Sequence, residues 1–290
     1  MGIMFKGINR KKAVRLWMLT VFSLMCVCLL LSLTLLIMDL SRPEIEPPAA
    51  EPEEEAPSSP DGETVPPSTS VYASHDRVLR ATEDAGQAYI DRMVFVGEST
   101  TAHLRSRGVL SGGTNTTQVW SNKENTMTLD LNMLQKTIRY PATGEDMTIA
   151  AAAALAKPEI LVLSFGVNGL NTFEKNAELY RIAYGRLIDA IHEASPATVV
   201  LLQTVYPVAA NQDTFAQGAQ AANASIEKLN ESLLIIAEQH GAYVVDTASV
   251  LKDERGMLRA AYQNGDGLHL ETAAYEQILL YLRTHAYVRK

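Results

Sequence analysis

Hydrophobic and polar positions divide the chain into three regions. From Leu16 to Met38, 23 consecutive residues carry no charge and are rich in Leu, Val, Met and Phe. A helix of that length, at about 1.5 Å per residue, spans the ~30 Å hydrocarbon core of a bilayer. Residues 41–74 show no regular apolar pattern, and residues 75–290 alternate short apolar runs with longer amphipathic stretches. The pattern predicts a single transmembrane helix, a linker and a folded domain.

Basic residues lie mainly on one side of the apolar segment. Residues 1–15 contain five lysines and arginines, and Arg42 is the only basic residue soon after the segment. This asymmetry predicts a cytoplasmic basic segment at residues 1–15 and an extracytoplasmic domain. A cleaved signal peptide is the alternative, but its apolar region is usually only ~7–15 residues long, and no small-x-small site follows Met38. We therefore predict an uncleaved transmembrane signal anchor and a cell-membrane location.

Residues 41–74 form a linker rich in proline and glutamate. Eight of the chain's 12 prolines lie here, and eight acidic residues against one arginine give this segment a charge of −7. Such a composition buries too little apolar surface to offset the entropy lost on ordering. Proline and like charge also extend a chain. The segment is therefore predicted to be a disordered spacer.

The folded domain, predicted at residues 75–290, alternates strand and helix patterns. Short apolar runs predict strands at residues 93–96, 117–120, 160–165, 198–202 and 243–245. Amphipathic stretches predict helices at residues 147–156, 174–194, 219–240 and 271–285. Apolar strands separated by helices indicate a parallel sheet that is covered on both faces. Functional residues are then expected just after the carboxyl ends of the strands.

Charge and cysteine content exclude several classes of protein. The net charge of −8 argues against nucleic acid as a partner, because phosphate binding needs a basic surface. The two cysteines, Cys26 and Cys28, both lie in the apolar segment. The domain is therefore predicted to have no disulfide framework and no thiol nucleophile.

Polar residues with catalytic potential follow two of the strands. Ser99 comes after the first, in Gly97-Glu98-Ser99, where a serine at the start of a helix presents a hydroxyl beside free backbone N–H groups. A serine in this position is also a common helix N-cap. Asn168 follows the third strand between Gly166 and Gly169, where it is either an oxyanion donor or a turn residue.

A third group lies in a glycine-rich loop before the last helix. Asp266 and His269 are three residues apart there, close enough for the carboxylate to orient the imidazole. A loop aspartate and a capping histidine are the alternative. Among the other histidines, His103 is one predicted helical turn after Ser99 and is placed to interact with it.

In order and position, these three motifs resemble the blocks of the SGNH/GDSL hydrolase family, here as a membrane-anchored, extracytoplasmic bacterial member. The resemblance covers about 200 residues and implies an α/β fold, a flavodoxin-like three-layer α/β/α sandwich of about five parallel strands. It also implies that Ser99 is the nucleophile, that His269 and Asp266 complete the catalytic triad, and that Asn168 and the Ser99 backbone N–H form the oxyanion hole. No cofactor and no metal are implied.

The chain departs from the family pattern in three places. Glu98 replaces the usual aspartate before the serine, and Gly169 replaces a frequent aspartate in the third block. The second block normally supplies a glycine N–H to the oxyanion hole, but residues 121–125 contain no glycine. A backbone amide of this segment, or the side chain of Asn122 or Asn125, would have to replace it.

The expected function is a serine esterase that hydrolyses ester groups, foremost O-acetyl groups, on an envelope polysaccharide or another ester-bearing molecule. An O-acyltransferase using the same serine chemistry is one alternative, since only the acceptor differs. A catalytically inactive exported glycan-binding module is another, supported by Glu98 and the missing glycine. A lipid esterase is less favoured because the spacer holds the domain away from the bilayer.

Overall fold

The computed structural model describes residues 72–289. The predicted anchor from Leu16 to Met38 and all but the end of the predicted linker lie outside this range. Within it, no helix combines the length and the apolarity needed to cross a membrane. Tyr72 lies in the predicted linker, yet it packs against the domain core, and its hydroxyl donates to Glu227 Oε2 at 2.9 Å. The folded domain therefore includes this residue.

The described chain alternates helices and strands as its hydrophobic pattern predicts. The helices are α1 (Gln87–Ile90), α2 (Ser99–Ser106), α3 (Ile149–Ala156), α4 (Leu170–Phe173), α5 (Ala177–Ala194), α6 (Ala219–His240) and α7 (Thr272–Thr284). The strands are β1 (Met93–Gly97), β2 (Val119–Trp120), β3 (Thr137–Arg139), β4 (Asp146–Thr148), β5 (Ile160–Ser164), β6 (Val199–Gln203) and β7 (Tyr243–Val245). All five predicted strands and all four predicted helices are present, with ends shifted by a few residues.

Five strands form one parallel sheet in the order β2-β1-β5-β6-β7. This is the strand order of flavodoxin-like folds, in which the connections reverse direction beside the first strand. The prediction of a mostly parallel five-stranded sheet is therefore confirmed. Because the strands are parallel, their carboxyl ends meet at one edge, and the loops that follow β1, β2 and β5 lie side by side there.

Alternate residues of the central strand enter two separate cores. On β5, Leu161 and Leu163 pack into a core with residues of α3, α5 and α6. Ile160 and Val162 point to the other face and pack with residues of α1, α2 and α7. Helices thus cover both faces of the sheet, which is why β5 is buried along its whole length. The three-layer α/β/α arrangement is confirmed.

Two local features differ from the expected pattern. The helix predicted at residues 174–194 begins at Ala177 as α5, because the Asn176 side chain accepts the Glu178 N–H and caps it, and the short helix α4 before it was not predicted. Between β2 and α3 the chain forms an antiparallel hairpin of β3 and β4, which was not predicted. Its strands are three residues long, too short for an alternating pattern to be recognised.

The turn from β1 into α2 is packed so closely that only glycine fits at position 97. A Cβ atom there would lie 2.2 Å from Thr101 Oγ1 and 2.3 Å from the carbonyl oxygen of Ser164. The first turn of α2 therefore rests directly on the end of β5. This contact fixes where the residue after the turn, Ser99, emerges from the sheet.

Replacing this glycine is expected to destabilise the domain. In Gly97→Ala the new methyl group meets a backbone carbonyl that cannot move aside, so we expect a loss of about 1–3 kcal/mol, the usual range for overpacking. Thermal and chemical unfolding of the purified domain measure the change. The exposed substitution Ala154→Ser is the control and should stay within about 0.5 kcal/mol of wild type. Equal stability of the two variants would contradict the close packing at Gly97.

Candidate active site

Ser99 is the first residue of α2, directly after the turn that leaves β1. The N-cap position is occupied by Glu98, whose side chain makes no capping hydrogen bond. The Ser99 hydroxyl therefore does not serve as a helix cap, which was the alternative interpretation of this serine. Its Oγ instead lies 3.0 Å from His269 Nε2.

His269 lies between Ser99 and Asp266. Its Nδ1 is 2.6 Å from Asp266 Oδ2. A carboxylate can only accept, so Nδ1 carries the proton and Nε2 is free to accept the Ser99 hydroxyl proton. The other carboxylate oxygen, Asp266 Oδ1, accepts the backbone N–H groups of Leu268 and His269, both at 2.8 Å. Although partial burial opposes it, hydrogen bonding to His269 and Leu268 lowers the pKa of Asp266, so the carboxylate is charged at neutral pH.

Gly267 allows the Asp266–His269 loop to approach the rest of the domain. Its φ is +74°, and a Cβ atom would lie 2.7 Å from the backbone nitrogen of Gln212. The Gly267 carbonyl accepts the Ala209 N–H at 2.8 Å. The loop that carries the imidazole is therefore held against the segment that follows β6. Ser99, His269 and Asp266 thus meet at the carboxyl edge of the sheet.

Asn168 lies in the loop after β5, and that loop is bonded to the residue beside the serine. Glu98 Oε1 accepts the Gly166 N–H at 2.9 Å, and both Glu98 oxygens accept the Asn168 N–H at 3.2 Å. The Asn168 side-chain amide donates to the Met127 carbonyl at 3.2 Å. The loop is therefore fixed through its backbone on one side and through its side chain on the other.

Two buried tyrosines hold the residue before this loop. The Tyr180 hydroxyl donates to the Phe165 carbonyl at 2.8 Å, and the Tyr184 hydroxyl accepts the Phe165 N–H at 3.0 Å. Together with Glu98, these side chains satisfy three consecutive backbone groups, which are the N–H and carbonyl of Phe165 and the N–H of Gly166. The sequence offered no signal for these contacts, because each partner lies at least 15 residues away.

Glu98 is itself buried, with 4% of its surface exposed. Burial raises the pKa of Glu98 to about 7, although the backbone hydrogen bonds from the loop after β5 act in the opposite direction. Tyr180 and Tyr184 lie near enough for their own ionisation to be opposed by the Glu98 charge. The carboxylate is therefore a buried charge whose partners are backbone N–H groups.

The second block, which lacks its glycine, forms a turn after β2. Asn125 occupies it with a φ of +55°, the left-handed conformation that glycine favours and that asparagine also tolerates. The Asn125 Oδ1 atom accepts the Ser121 hydroxyl at 2.7 Å and Arg105 Nη2 at 3.3 Å. Asn122 Oδ1 accepts the Thr126 N–H at 2.9 Å. An asparagine thus replaces glycine in the backbone geometry of this turn.

The His103 ring contacts the His269 ring. The two imidazole centroids are 4.9 Å apart, with the rings tilted by 45°. Burial and the neighbouring His269 lower the pKa of His103, so it is neutral at physiological pH. Its Nδ1 atom is buried and has no hydrogen-bond partner within residues 72–289. His103 therefore packs against the outer face of the histidine in the site. Over the same range, no group of three or more His, Cys, Asp or Glu residues is arranged to hold a metal ion.

The family model for the GDSL-like lipase/acylhydrolase family matches residues 95–277, which include all four predicted site residues. A comparison with curated proteins gives no match. Among solved structures, a proposed platelet activating factor from Streptococcus pneumonia is 17% identical, over 66% of this chain and 82% of that chain, with a TM-score of 0.49. A proposed SGNH hydrolase from Slackia heliotrinireducens is 18% identical over 67% of this chain and 97% of that chain, with a TM-score of 0.47. An acetylxylan esterase from Geobacillus stearothermophilus is 16% identical over 68% of this chain and 94% of that chain, with a TM-score of 0.37.

The contacts of Glu98 predict how activity responds to substitution and to pH. In Glu98→Gln the amide keeps one acceptor oxygen, but an NH2 group takes the place of the other and faces the Asn168 N–H, so the loop after β5 loses an acceptor and shifts. A displacement of about 1 Å at a reacting centre lowers turnover by roughly 10², and we expect kcat for 4-nitrophenyl acetate to fall by about that factor with little change in KM. Wild-type kcat should also decrease as the pH falls through about 7, where Glu98 becomes protonated and accepts less strongly.

Comparison of the pH profiles separates this effect from a general loss of folding. Glu98→Gln has no ionisable group at the position, so its kcat should decline at a lower pH than that of the wild type. Glu98→Asp keeps the charge on a shorter side chain and should retain the wild-type pH dependence with reduced kcat. Equal kcat values for wild type and Glu98→Gln at every pH would show that Glu98 does not control the loop.

Proposed function

Because the chain belongs to the GDSL-like lipase/acylhydrolase family and is a serine esterase, we propose that it removes O-acetyl groups from carbohydrate outside the cytoplasmic membrane. Ser99 is the proposed nucleophile, His269 the general base, and Asp266 the residue that orients it. The contact that carries this assignment is the 3.0 Å approach of His269 Nε2 to Ser99 Oγ, with Asp266 2.6 Å from the far side of the imidazole.

In the proposed first step, Ser99 Oγ attacks the ester carbonyl carbon as its proton passes to His269 Nε2. The imidazole becomes positively charged, and the Asp266 carboxylate stabilises that charge. The tetrahedral intermediate then collapses, the C–O bond to the sugar breaks, and the departing oxygen takes the proton from His269. The acetyl group remains on Ser99 as an ester.

In the second step, water replaces the sugar hydroxyl. His269 removes a proton from the water, which attacks the acyl carbonyl, and acetate leaves as the proton returns to Ser99. The negative oxygen that forms in both steps is assigned to the Ser99 backbone N–H and to Asn168. Donors fixed before the reaction begins are effective because they need no reorganisation as charge develops. The Glu98 and tyrosine contacts supply that fixation.

Two features support acetylated carbohydrate as the substrate. The Asp266 side chain is 46% exposed and His269 is 25% exposed, so the triad lies at an open edge that a polymer can approach. The predicted anchor and the acidic spacer would hold this edge at a distance from the bilayer, among envelope polysaccharides. Both features suit a small acyl group on a large carrier better than a lipid ester.

The nucleophile assignment predicts loss of both labelling and hydrolysis in one variant. Ser99→Ala removes the attacking oxygen, so residues 72–290 with this substitution should neither react with a fluorophosphonate probe nor release acetate from O-acetylated polysaccharide. The same measurements on Ser106→Ala, an exposed serine of the same helix, should match the wild type. Labelling that persists in a folded Ser99→Ala protein would remove Ser99 from the mechanism.

The acyl preference is tested with the same proteins. Wild type should release acetate from acetylated glycan faster than it hydrolyses long-chain acyl esters of the same alcohol. Faster cleavage of the long-chain esters would contradict the carbohydrate assignment while leaving the serine chemistry in place.

The oxyanion assignment predicts a defect in turnover. Loss of one preorganised donor typically raises the barrier by ~2.7–4 kcal/mol, or a factor of about 10²–10³ in kcat. Asn168→Ala should show a decrease of that size in acetate release, with a folded state verified by circular dichroism. Asn115→Ala, at an exposed position, is the matched control. Activity of Asn168→Ala equal to that of the control would rule out Asn168 as a donor.

A further inference from the structure

Arg105 lies on α2, six residues after Ser99, and contacts the turn after β2. Its Nη2 atom donates to Ser121 Oγ at 3.1 Å and to Asn125 Oδ1 at 3.3 Å. Both acceptors are uncharged. The guanidinium is therefore held in place by the turn, while its positive charge is not neutralised by these contacts.

No carboxylate of residues 72–289 forms an ion pair with Arg105. Arg107, two residues later on the same helix, differs because it makes two hydrogen bonds to Glu271, at 2.8 and 3.1 Å. Arg105 is half-buried, yet its Nε and Nη1 atoms are neither hydrogen-bonded within this range nor enclosed. These N–H groups are free to meet a ligand.

The guanidinium contacts the turn that follows β2, and because β2 lies beside β1 in the parallel sheet, this turn and Ser99 are at the same edge of the sheet. The turn that it contacts continues to Met127, whose carbonyl accepts the Asn168 side-chain amide. Arg105 and Asn168 are thus bonded to the two ends of one seven-residue segment, Ser121 through Met127.

We propose that Arg105 binds a carboxylate of the substrate, so that the acetyl ester is carried by an acidic sugar such as a uronic acid. A guanidinium N–H forms a charge-assisted hydrogen bond to a carboxylate, and partial burial strengthens that pairing relative to water. Ser121 and Asn125 fix the orientation of the guanidinium through Nη2. The domain has a net charge of −5 over residues 75–290, so it does not attract anionic polymers generally, and recognition would depend on this local cation.

The proposal rests on the esterase function proposed above, and a matched pair of substrates tests it. One is methyl glucuronoside, acetylated as a mixture of its 2-, 3- and 4-O isomers. The other is the corresponding glucuronamide, which has the same shape and no charge. We expect wild type to favour the acid by about 10- to 100-fold in kcat/KM, the range for a hydrogen bond to a charged group. Arg105→Gln should abolish the preference mainly by raising KM for the acid.

Two further variants separate recognition from folding. Arg105→Lys keeps the charge without the planar guanidinium that the turn orients, and should retain only part of the preference. Arg92→Gln alters an arginine outside the site, paired with Glu159, and should leave the preference unchanged. Should Arg105→Gln fail to fold, the wild-type preference itself remains diagnostic, since added NaCl should reduce it.

Three results would overturn the proposal. The first is equal hydrolysis of the acid and the amide by wild type. The second is an equal loss of kcat/KM on both substrates in Arg105→Gln, which would mean that Arg105 only supports the turn. The third is hydrolysis of 4-nitrophenyl acetate without hydrolysis of either sugar ester, which would also remove the carbohydrate assignment. Lack of hydrolysis of all three esters by folded wild type would instead overturn the proposed esterase function.

Discussion

The hydrogen bonds from Gly166 and Asn168 to the Glu98 carboxylate join the two loops on which the site depends. Glu98 precedes the proposed nucleophile, and the loop that it holds carries the proposed oxyanion donor. An unpaired buried charge is strongly unfavourable, so the carboxylate and the N–H groups must remain together. The distance between the two loops is thereby set by electrostatics as well as by packing. Gly97 adds a steric limit, because it brings the same turn against the end of β5.

Much of this architecture follows from short-range features of the sequence. The apolar runs that became β1, β5, β6 and β7 are buried on both faces, so they contain few polar interruptions and are easily recognised. Asp266 and His269 are three residues apart, so their contact was predictable from spacing. Their approach to Ser99 spans 170 residues, and it was predictable only because parallel strands bring their carboxyl ends to one edge.

Other parts of the site were not predictable because they depend on long-range polar contacts. In the sequence Glu98 is only a departure from the family pattern, and nothing there indicates that it accepts hydrogen bonds from a loop 68 residues away. The second block contains no glycine, but Asn125 adopts a left-handed backbone conformation there. Asparagine can do so because its short polar side chain forms hydrogen bonds nearby, here with Ser121 four residues earlier. A residue other than glycine can therefore occupy such a turn.

The segment between β2 and α3, which contains the β3–β4 hairpin, contributes no strand to the five-stranded sheet. Its hydrogen bond to the Asn168 side chain is made by a main-chain carbonyl, that of Met127. A main-chain group is present whichever side chain occupies the position. Residues of this segment can thus diverge in sequence while the carbonyl stays in place. Evolution of this segment is therefore compatible with an unchanged hydrogen bond to the Asn168 side chain.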